Sequence, residues 1–207
     1  MIYEQFFFKR FIIRKKIRNI RNKLDYKKKI YSGIKISENI INNFINNKNN
    51  ENIAIFISFD GEINTSFLIN KLWFLNKNIY VPIINNKYKY IEFAKYEKNS
   101  FLCLNAFNIL EPVYKKKISY YDLNIIIVPV VAFNNKGYRL GLGGGFYDKL
   151  LSNLYNKKDI LLIGVAYDFQ LVDYFPVFDW DIPIPIIVTP ENIFNFSKKK
   201  KSYKYIQ

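Results

Sequence analysis

The 207-residue sequence has no histidine and a single cysteine, Cys103. The absence of histidine excludes imidazole both as a general base and as a metal ligand. One cysteine forms neither an internal disulfide nor a cysteine-based zinc site, and it is typical of a protein from a reducing compartment. We therefore expect a cytoplasmic protein whose chemistry depends on carboxylates, Lys, Arg, Tyr, hydroxyls, backbone amides or a metal held by oxygen.

Long apolar runs are also missing, although 50% of the residues are hydrophobic. No run reaches the roughly 20 residues that cross a bilayer. Lys9 and Arg10 interrupt the apolar N-terminal segment, which has no small-residue cleavage site, so we predict neither a membrane partner nor a secretory signal. The length fits one domain over residues 1–190, followed by a basic and flexible C-terminal tail over residues 191–207.

Acidic residues are few, with 17 Asp and Glu against 32 Lys and Arg, which gives a formal net charge of +15. Such a charge is typical of nucleic-acid-binding proteins, and this class is one alternative. However, the abundant Lys, Asn, Ile, Phe and Tyr have codons rich in A and T, so compositional drift explains the charge better. The basic and aromatic residues are dispersed without an RNA-module motif, and we expect no nucleic-acid partner.

Helical periodicity marks the first long segment. An apolar stripe consists of Ile13, Ile17, Ile20 and Leu24. A neighbouring stripe consists of Arg14, Arg18 and Arg21. This pattern predicts that the isoleucines and the leucine pack inward while the arginines form an exposed row. A second helix is predicted in "SENIINNFINN", with Ser37 as its N-cap.

Buried strands are predicted from apolar runs over 52–59, 78–84, 123–133, 159–167 and 184–190. A helical pattern between the first two runs gives a strand-helix-strand unit, which is typical of a parallel sheet in an α/β protein.

Glycine is scarce, yet four of the 8 glycines fall between positions 141 and 145, within "GYRLGLGGGFYDKLL". A glycine-rich turn between a buried strand and a helix is typical of a phosphate site, because amides at the helix N-terminus point at the anion. The sequence matches neither a Walker A loop nor the dinucleotide fingerprint. A flexible hairpin or linker is the alternative.

Charged residues beside this loop fit a nucleotide and a metal. Arg139 is placed to bind a phosphate in bidentate fashion, although a surface arginine fits its position equally well. Asp148 would be repelled by a polyphosphate unless a cation such as Mg²⁺ lay between them. Asp179 or Asp181 could provide a second carboxylate, and a plain loop acid is the alternative for each.

The glycine segment resembles the 5-formyltetrahydrofolate cyclo-ligase (5,10-methenyltetrahydrofolate synthetase) family, which reads Gly-x-Arg-Leu-Gly-x-Gly-x-Gly, an aromatic residue, Tyr and Asp. Four further blocks match in the expected order: "FISFDGEINT", "ILEP", "VPVVAFNNKG" and "FPVFDWDIPIPIIVTP". Together the blocks span roughly residues 10 to 190. The resemblance implies a three-layer α/β/α fold with a mostly parallel, mixed central sheet and a Rossmann-like topology.

The resemblance also implies a reaction. The family converts 5-formyltetrahydrofolate and ATP, with Mg²⁺, to 5,10-methenyltetrahydrofolate, ADP and phosphate through phosphorylation of the formyl oxygen. This chemistry asks for positioning and charge neutralisation rather than a histidine base. Another ATP- or sugar-phosphate enzyme on the same fold is the remaining alternative. We expect a monomer that acts on this small molecule.

Site residues follow from the same resemblance. The ATP phosphates are expected along Arg139, Leu140, Gly141, Leu142, Gly143, Gly144, Gly145, Phe146 and Tyr147. Within this set Arg139 and Tyr147 are the catalytic candidates, and Leu142 to Phe146 are also expected to touch the pterin of the folate. Asp148 and Asp181 are the expected Mg²⁺ ligands, with Asp179 as a less favoured substitute.

Two further regions are assigned by the resemblance. The family uses a Lys and an Arg one turn apart on the first helix for ATP, and we match them to Arg14 and Arg18, with Lys15 beside the first. Glu62 corresponds to the acid that holds the folate, and Ile57 to a position in the substrate wall.

Overall fold

A computed structural model of the chain describes residues 2–45, 51–85, 90–154 and 160–197. The helices are α1 (Ile2–Asn22), α2 (Tyr26–Ile40), α3 (Ser66–Phe74) and α4 (Phe146–Leu154). The strands are β1 (Asn52–Ala54), β2 (Asn78–Asn85), β3 (Tyr90–Lys95), β4 (Leu102–Leu104), β5 (Leu110–Pro112), β6 (Lys117–Ile118), β7 (Ile125–Pro129), β8 (Ala132–Phe133), β9 (Arg139–Leu140), β10 (Leu161–Val165), β11 (Ile186–Val188) and β12 (Ile193–Asn195).

Eight strands form one mixed sheet in the order β12-β11-β10-β7-β1-β2-β3-β6. The five central strands, from β11 to β2, run parallel to one another. The strands at both edges pair antiparallel. This arrangement confirms the predicted α/β fold with a mostly parallel sheet.

Helices cover both faces of the sheet, as consecutive residues of β7 demonstrate. Ile125 and Ile127 belong to the apolar cluster that contains the buried side chains of α2 and α3. Ile126 and Val128 belong to the cluster that contains the buried leucines of α4. Side chains alternate across a strand, so this central strand is apolar on both faces and reads as a continuous hydrophobic run.

Two predicted element positions are wrong. The first strand is shorter than its apolar run, because β1 ends at Ala54. Two residues later, the Phe56 carbonyl oxygen accepts a hydrogen bond from the Thr65 hydroxyl at 2.8 Å. Ser37 lies buried inside α2 rather than at its start. Asp25 caps this helix instead, because its carboxylate accepts a hydrogen bond from the Lys28 amide at 2.7 Å.

The buried face of helix α1 includes most of the predicted apolar stripe, since Ile13, Ile17 and Leu24 pack against core clusters, but it also includes arginines. Arg10, Ile17 and Arg21 are buried, while Ile20 is 38% exposed. The arginine side of the helix therefore packs against the protein, where carboxylates from distant parts of the chain meet it.

The sheet continues past residue 190, because β12 pairs with β11. The remainder of the predicted basic tail, residues 198–207, lies outside the described residues. Within the described part of the chain, no helix combines the length and apolar character needed to cross a membrane.

Candidate active site

A cleft of about 620 Å³ lies beyond the carboxyl ends of β1 and β7. Phe56 and Ile57 follow β1 in its wall, and Pro129 and Val131 continue it from β7. The chain runs from β1 to β2 on one side and resumes at β7 on the other, so the topology reverses between these strands. Ligands of open α/β sheets bind at such a reversal, and the cleft is therefore the candidate active site.

The glycine-rich loop forms one side of this cleft, between β9 and the start of α4. Gly143 and Gly145 have φ angles of 110° and 70°, which disfavour any side chain. Gly141 has no such angle, and a Cβ built there has no atom of the described residues within 4 Å. The fold itself does not require glycine at 141, whereas a ligand lying against the loop would. With the N-terminus of α4 behind it, the loop suits an anionic group.

The arginines that reach the cleft from α1 are Arg10 and Arg14. The Arg14 Nε donates to the Gly141 carbonyl oxygen at 2.7 Å, which ties the helix to the glycine loop. Partial burial, and then the charge of Arg10, lower the pKa of Arg14. The effect of Arg10 on this pKa indicates that the two guanidinium groups lie near each other at this end of the cleft.

Of the predicted pair on α1, Arg14 lines the cleft and Arg18, one turn further along the helix, does not. Lys15 is exposed, and Arg18 lies outside the cleft, where its Nε donates to the Asp60 carboxylate at 2.6 Å. The guanidinium groups that α1 brings to the cleft are therefore those of Arg10 and Arg14. Sequence reasoning missed Arg10 because this residue lies in a segment dominated by aromatic and aliphatic residues.

The Asp181 carboxylate is held by hydrogen bonds from protein groups. Its carboxylate accepts two hydrogen bonds from Arg10, at 2.7 and 2.9 Å, and one from the Phe178 amide at 2.8 Å. The side chain is only 1% exposed. Asp179, the less favoured candidate, lines the cleft. Asp181 therefore orients Arg10, and its role as a second Mg²⁺ ligand stays a prediction.

Arg139 and Asp148 form a second ion pair at the cleft. Arg139 is 2% exposed, and it donates to Asp148 at 2.9 Å and to the Ile182 carbonyl oxygen at 3.0 Å. Burial lowers the pKa of Arg139. The Asp148 side chain stays 29% exposed and lines the cleft, so it is accessible to a ligand. Leu140, between them in sequence, packs in the core instead.

Glu62 also lines the cleft, with its side chain almost wholly buried. Its carboxylate accepts a hydrogen bond from the Phe59 amide at 3.3 Å. Burial raises the pKa of Glu62 to about 7, against the opposing charge of Arg21. Tyr147 belongs to the same surroundings, since burial and then the charge of Glu62 raise the pKa of its hydroxyl. With its pKa raised in this way, the Glu62 carboxyl group can change its protonation state near neutral pH.

Apolar walls complete the cleft, and sequence reasoning missed most of their residues. Phe178 packs between Phe7 and Trp180, with ring centroids 5.0 and 4.6 Å apart. The remaining aliphatic lining includes Pro82, Ile84, Ile91, Ile109 and Leu110. In sequence these residues resemble ordinary core positions. Ile109 and Leu110 belong to the "ILEP" block, which is the one matching block that contains any of these aliphatic residues.

The donor set at Asp148 fits Mg²⁺. Among the described residues, no group of three or more acidic or cysteine side chains could hold a metal. Mg²⁺ commonly keeps several waters and binds one or two carboxylates together with substrate phosphates. An accessible carboxylate beside an anion-binding loop meets this requirement.

Comparisons with known proteins identify one family. Residues 9–190 match the model of the 5-formyltetrahydrofolate cyclo-ligase family. A 5-formyltetrahydrofolate cyclo-ligase of Haemophilus influenzae is 38% identical over 85% of this chain and 95% of its own length. The Escherichia coli K12 protein of the same name is 40% identical over 70% of this chain and 80% of its own.

Solved structures give the same result. The NMR structure of Aquifex aeolicus 5,10-methenyltetrahydrofolate synthetase superposes with a TM-score of 0.78 and 28% identity, over 95% of this chain and 97% of that one. The Mycoplasma pneumoniae synthetase, at 24% identity and a TM-score of 0.72 over 88% of this chain and 99% of its own, shares the fold. This chain belongs to the 5-formyltetrahydrofolate cyclo-ligase family.

Proposed function

We propose that the protein catalyses the ATP-dependent cyclisation of 5-formyltetrahydrofolate to 5,10-methenyltetrahydrofolate, with release of ADP and phosphate. The observation that carries this proposal is a single cleft with two chemically different sides. One side presents the glycine loop and two guanidinium groups, and the other presents an apolar wall with the buried carboxyl group of Glu62. The cyclo-ligase relatives support the same reaction.

The polyphosphate of ATP would lie along the glycine loop. The amides at the start of α4 and the side chains of Arg10 and Arg14 offer hydrogen bonds and positive charge there. Arg139 contributes by holding Asp148 at the edge of this site. Because the loop carries almost no side chains, a second substrate can approach the terminal phosphorus closely.

The reduced folate would occupy the apolar side. Its ring system would pack against the aliphatic and aromatic lining, with Ile57 and the loop residues Leu142 to Phe146 beside it. Glu62 would accept hydrogen bonds from ring N–H groups. A carboxylate buried in such a wall discriminates strongly, because a ligand that leaves it unpaired loses binding energy.

In the reaction, the formyl oxygen takes the terminal phosphoryl group of ATP, and ADP departs. The neighbouring amine nitrogen then attacks the formyl carbon and loses its proton, and phosphate leaves with the former formyl oxygen. The role of this chain is to align the two substrates and to neutralise phosphate charge. Tyr147 lines the same cleft and feels the charges of Glu62 and Arg139, and we propose that it contacts the reacting groups.

Mg²⁺ is part of the proposal, with Asp148 as its protein ligand. The ion would neutralise charge on the transferring phosphoryl group. Asp181 orients Arg10, and its predicted role as a second Mg²⁺ ligand stays a prediction. That the protein is a monomer in the cytoplasm and binds no nucleic acid stays a prediction.

The test is incubation of the purified protein with 5-formyltetrahydrofolate, with and without Mg-ATP. We expect methenyltetrahydrofolate, which absorbs in the near ultraviolet, to accumulate only when both substrates are present, with one ADP formed per product. Nucleotide hydrolysis that is indifferent to the folate would instead indicate another ATP enzyme on this fold. Salt-sensitive RNA binding without turnover would indicate the nucleic-acid alternative.

A further inference from the structure

Arg21 is wholly buried near the end of α1, outside the set of residues that line the cleft. Its Nε donates to the Asp60 carbonyl oxygen at 3.0 Å, and its Nη2 donates to the Asp60 carboxylate at 2.9 Å. Its Nη1 is buried without a hydrogen-bond partner among the described residues. Burying a guanidinium group is unfavourable unless it is paired, so two bonds directed at one residue indicate a specific role.

The residue that Arg21 holds is in a conformation that needs support. Asp60 and Gly61 have φ angles of 49° and 69°, and the first of them is not glycine. Arg18 and Asn22 also donate to the Asp60 carboxylate, at 2.6 and 3.1 Å. A left-handed conformation is unfavourable for a residue with a Cβ, so these contacts offset its strain.

The turn also packs directly on the backbone of α1. A Cβ built at Gly61 would lie 3.1 Å from the carbonyl carbon of Arg21. The hydrogen bonds and this close approach leave the turn little freedom to move away from the helix.

Glu62 follows this turn immediately, and the turn sets its position. Its amide donates to the Phe59 carbonyl oxygen at 2.9 Å, while its carboxylate accepts from the Phe59 amide. The carboxyl group is thus held by the same short segment that Arg21 holds from the other side. Helix α1 consequently supports both sides of the cleft, the glycine loop through Arg14 and the folate side through Arg21.

We propose that Arg21 is a positioning residue that clamps the Asp60–Gly61 turn to α1 and so fixes the Glu62 carboxyl group in the wall of the cleft. This inference rests on the proposed function, because it assigns the Glu62 side of the cleft to 5-formyltetrahydrofolate. Arg21 acts on the folate without touching it.

The experiment compares Arg21→Gln, Arg21→Lys and the unchanged protein. Binding of 5-formyltetrahydrofolate is measured by isothermal titration without ATP, and KM values for both substrates are measured by the absorbance assay. Since Arg21→Gln removes the two-pronged contact that holds the turn, we expect it to weaken folate binding about tenfold or more. The KM for ATP should change less than about twofold, which is the size of change expected at a site that is not coupled to Arg21.

A pH series separates positioning from general destabilisation. The groups that face Glu62 are Arg21 and Arg18 from α1, Asp60 from the turn, Tyr147 from α4, and Tyr167 after β10. The charge of Arg21 lowers the pKa of Glu62, so Arg21→Gln should move the titration seen in folate affinity to higher pH. Arg21→Lys keeps the charge but not the two-pronged geometry, so it should leave that titration nearly in place while still weakening binding.

Two further variants guard against a failure to fold. Asp60→Asn weakens the clamp from its other side and is expected to weaken folate binding without changing the KM for ATP. Ile40→Ala removes a wholly buried side chain of α2 and serves as a destabilised control with unchanged folate affinity. Equal losses for both substrates, or folate affinity untouched in Arg21→Gln and Asp60→Asn, would overturn the inference. If the unchanged protein binds the folate but does not cyclise it, the proposed reaction fails while the clamp is still tested.

Discussion

Replacement of Glu62 by glutamine is expected to change the stability of the protein in a pH-dependent way. The carboxyl group is buried, and burial raises its pKa from 4.5 to about 7. The folded state therefore binds a proton between these two pH values that the unfolded state releases. Stability contributed by the protonated form is fully present below pH 4.5 and is lost as the pH rises towards 7.

The size of this effect follows from the shift. One pKa unit corresponds to about 1.4 kcal/mol, so a shift from 4.5 to about 7 destabilises the ionised folded protein by about 3 kcal/mol. Most of this loss is present at pH 8 and little of it at pH 5, which leaves a difference of about 2.5 kcal/mol between the two conditions. Glutamine has no proton to lose, so Glu62→Gln should be more stable than the unchanged protein at pH 8 and similar to it at pH 5.

The assay is urea unfolding of both proteins at several pH values between 5 and 8, followed by fluorescence of the two tryptophans. Glu97→Gln is the matched control, because the Glu97 side chain is 66% exposed and its ion pair with Lys95 lies at the surface. The control should show no comparable pH dependence. If the difference between Glu62→Gln and the unchanged protein were the same at pH 5 and pH 8, the burial of an ionisable Glu62 would be refuted. We also expect this variant to lose folate affinity, so that its gain in stability comes with a loss of function.

Three other predictions concern the nucleotide side. Asp148→Asn should abolish most Mg²⁺-dependent turnover while the melting temperature stays close to that of the unchanged protein; full turnover at saturating Mg-ATP would remove the metal role. Gly141→Ala should leave thermal unfolding unchanged, since its Cβ meets open space, but raise the KM for ATP, and an unaltered KM would show that the phosphates lie elsewhere. Asp181→Asn leaves the buried Arg10 without its anionic partner and should lower the free energy of unfolding by about 3–5 kcal/mol, measured in urea; a loss confined to Mg²⁺ affinity would restore Asp181 as a metal ligand.

Sequence reasoning predicted best those features that depend on residues next to one another in the chain. The apolar run through β7 and the glycines after β9 each carry their own signal, because strand burial and backbone conformation are local requirements. The aliphatic lining of the cleft carries no such signal. Pro82 and Ile91 come from neighbouring strands and look like core residues, and only the folded topology turns them towards a cavity.

The burial of arginines on α1 was missed for a related reason. Hydropathy patterns assign arginine to solvent, because an unpaired buried charge is strongly unfavourable. Here the partners of Arg10 and Arg21 are Asp181 and Asp60, which lie 171 and 39 residues away in sequence. Those carboxylates meet the helix only when it docks, so the docking of α1 and the completion of the cleft are one step. A helix that left this position would remove the cleft arginines and leave a buried Asp181 without its partner, so these ion pairs and the apolar contacts of Ile17 together determine how α1 packs.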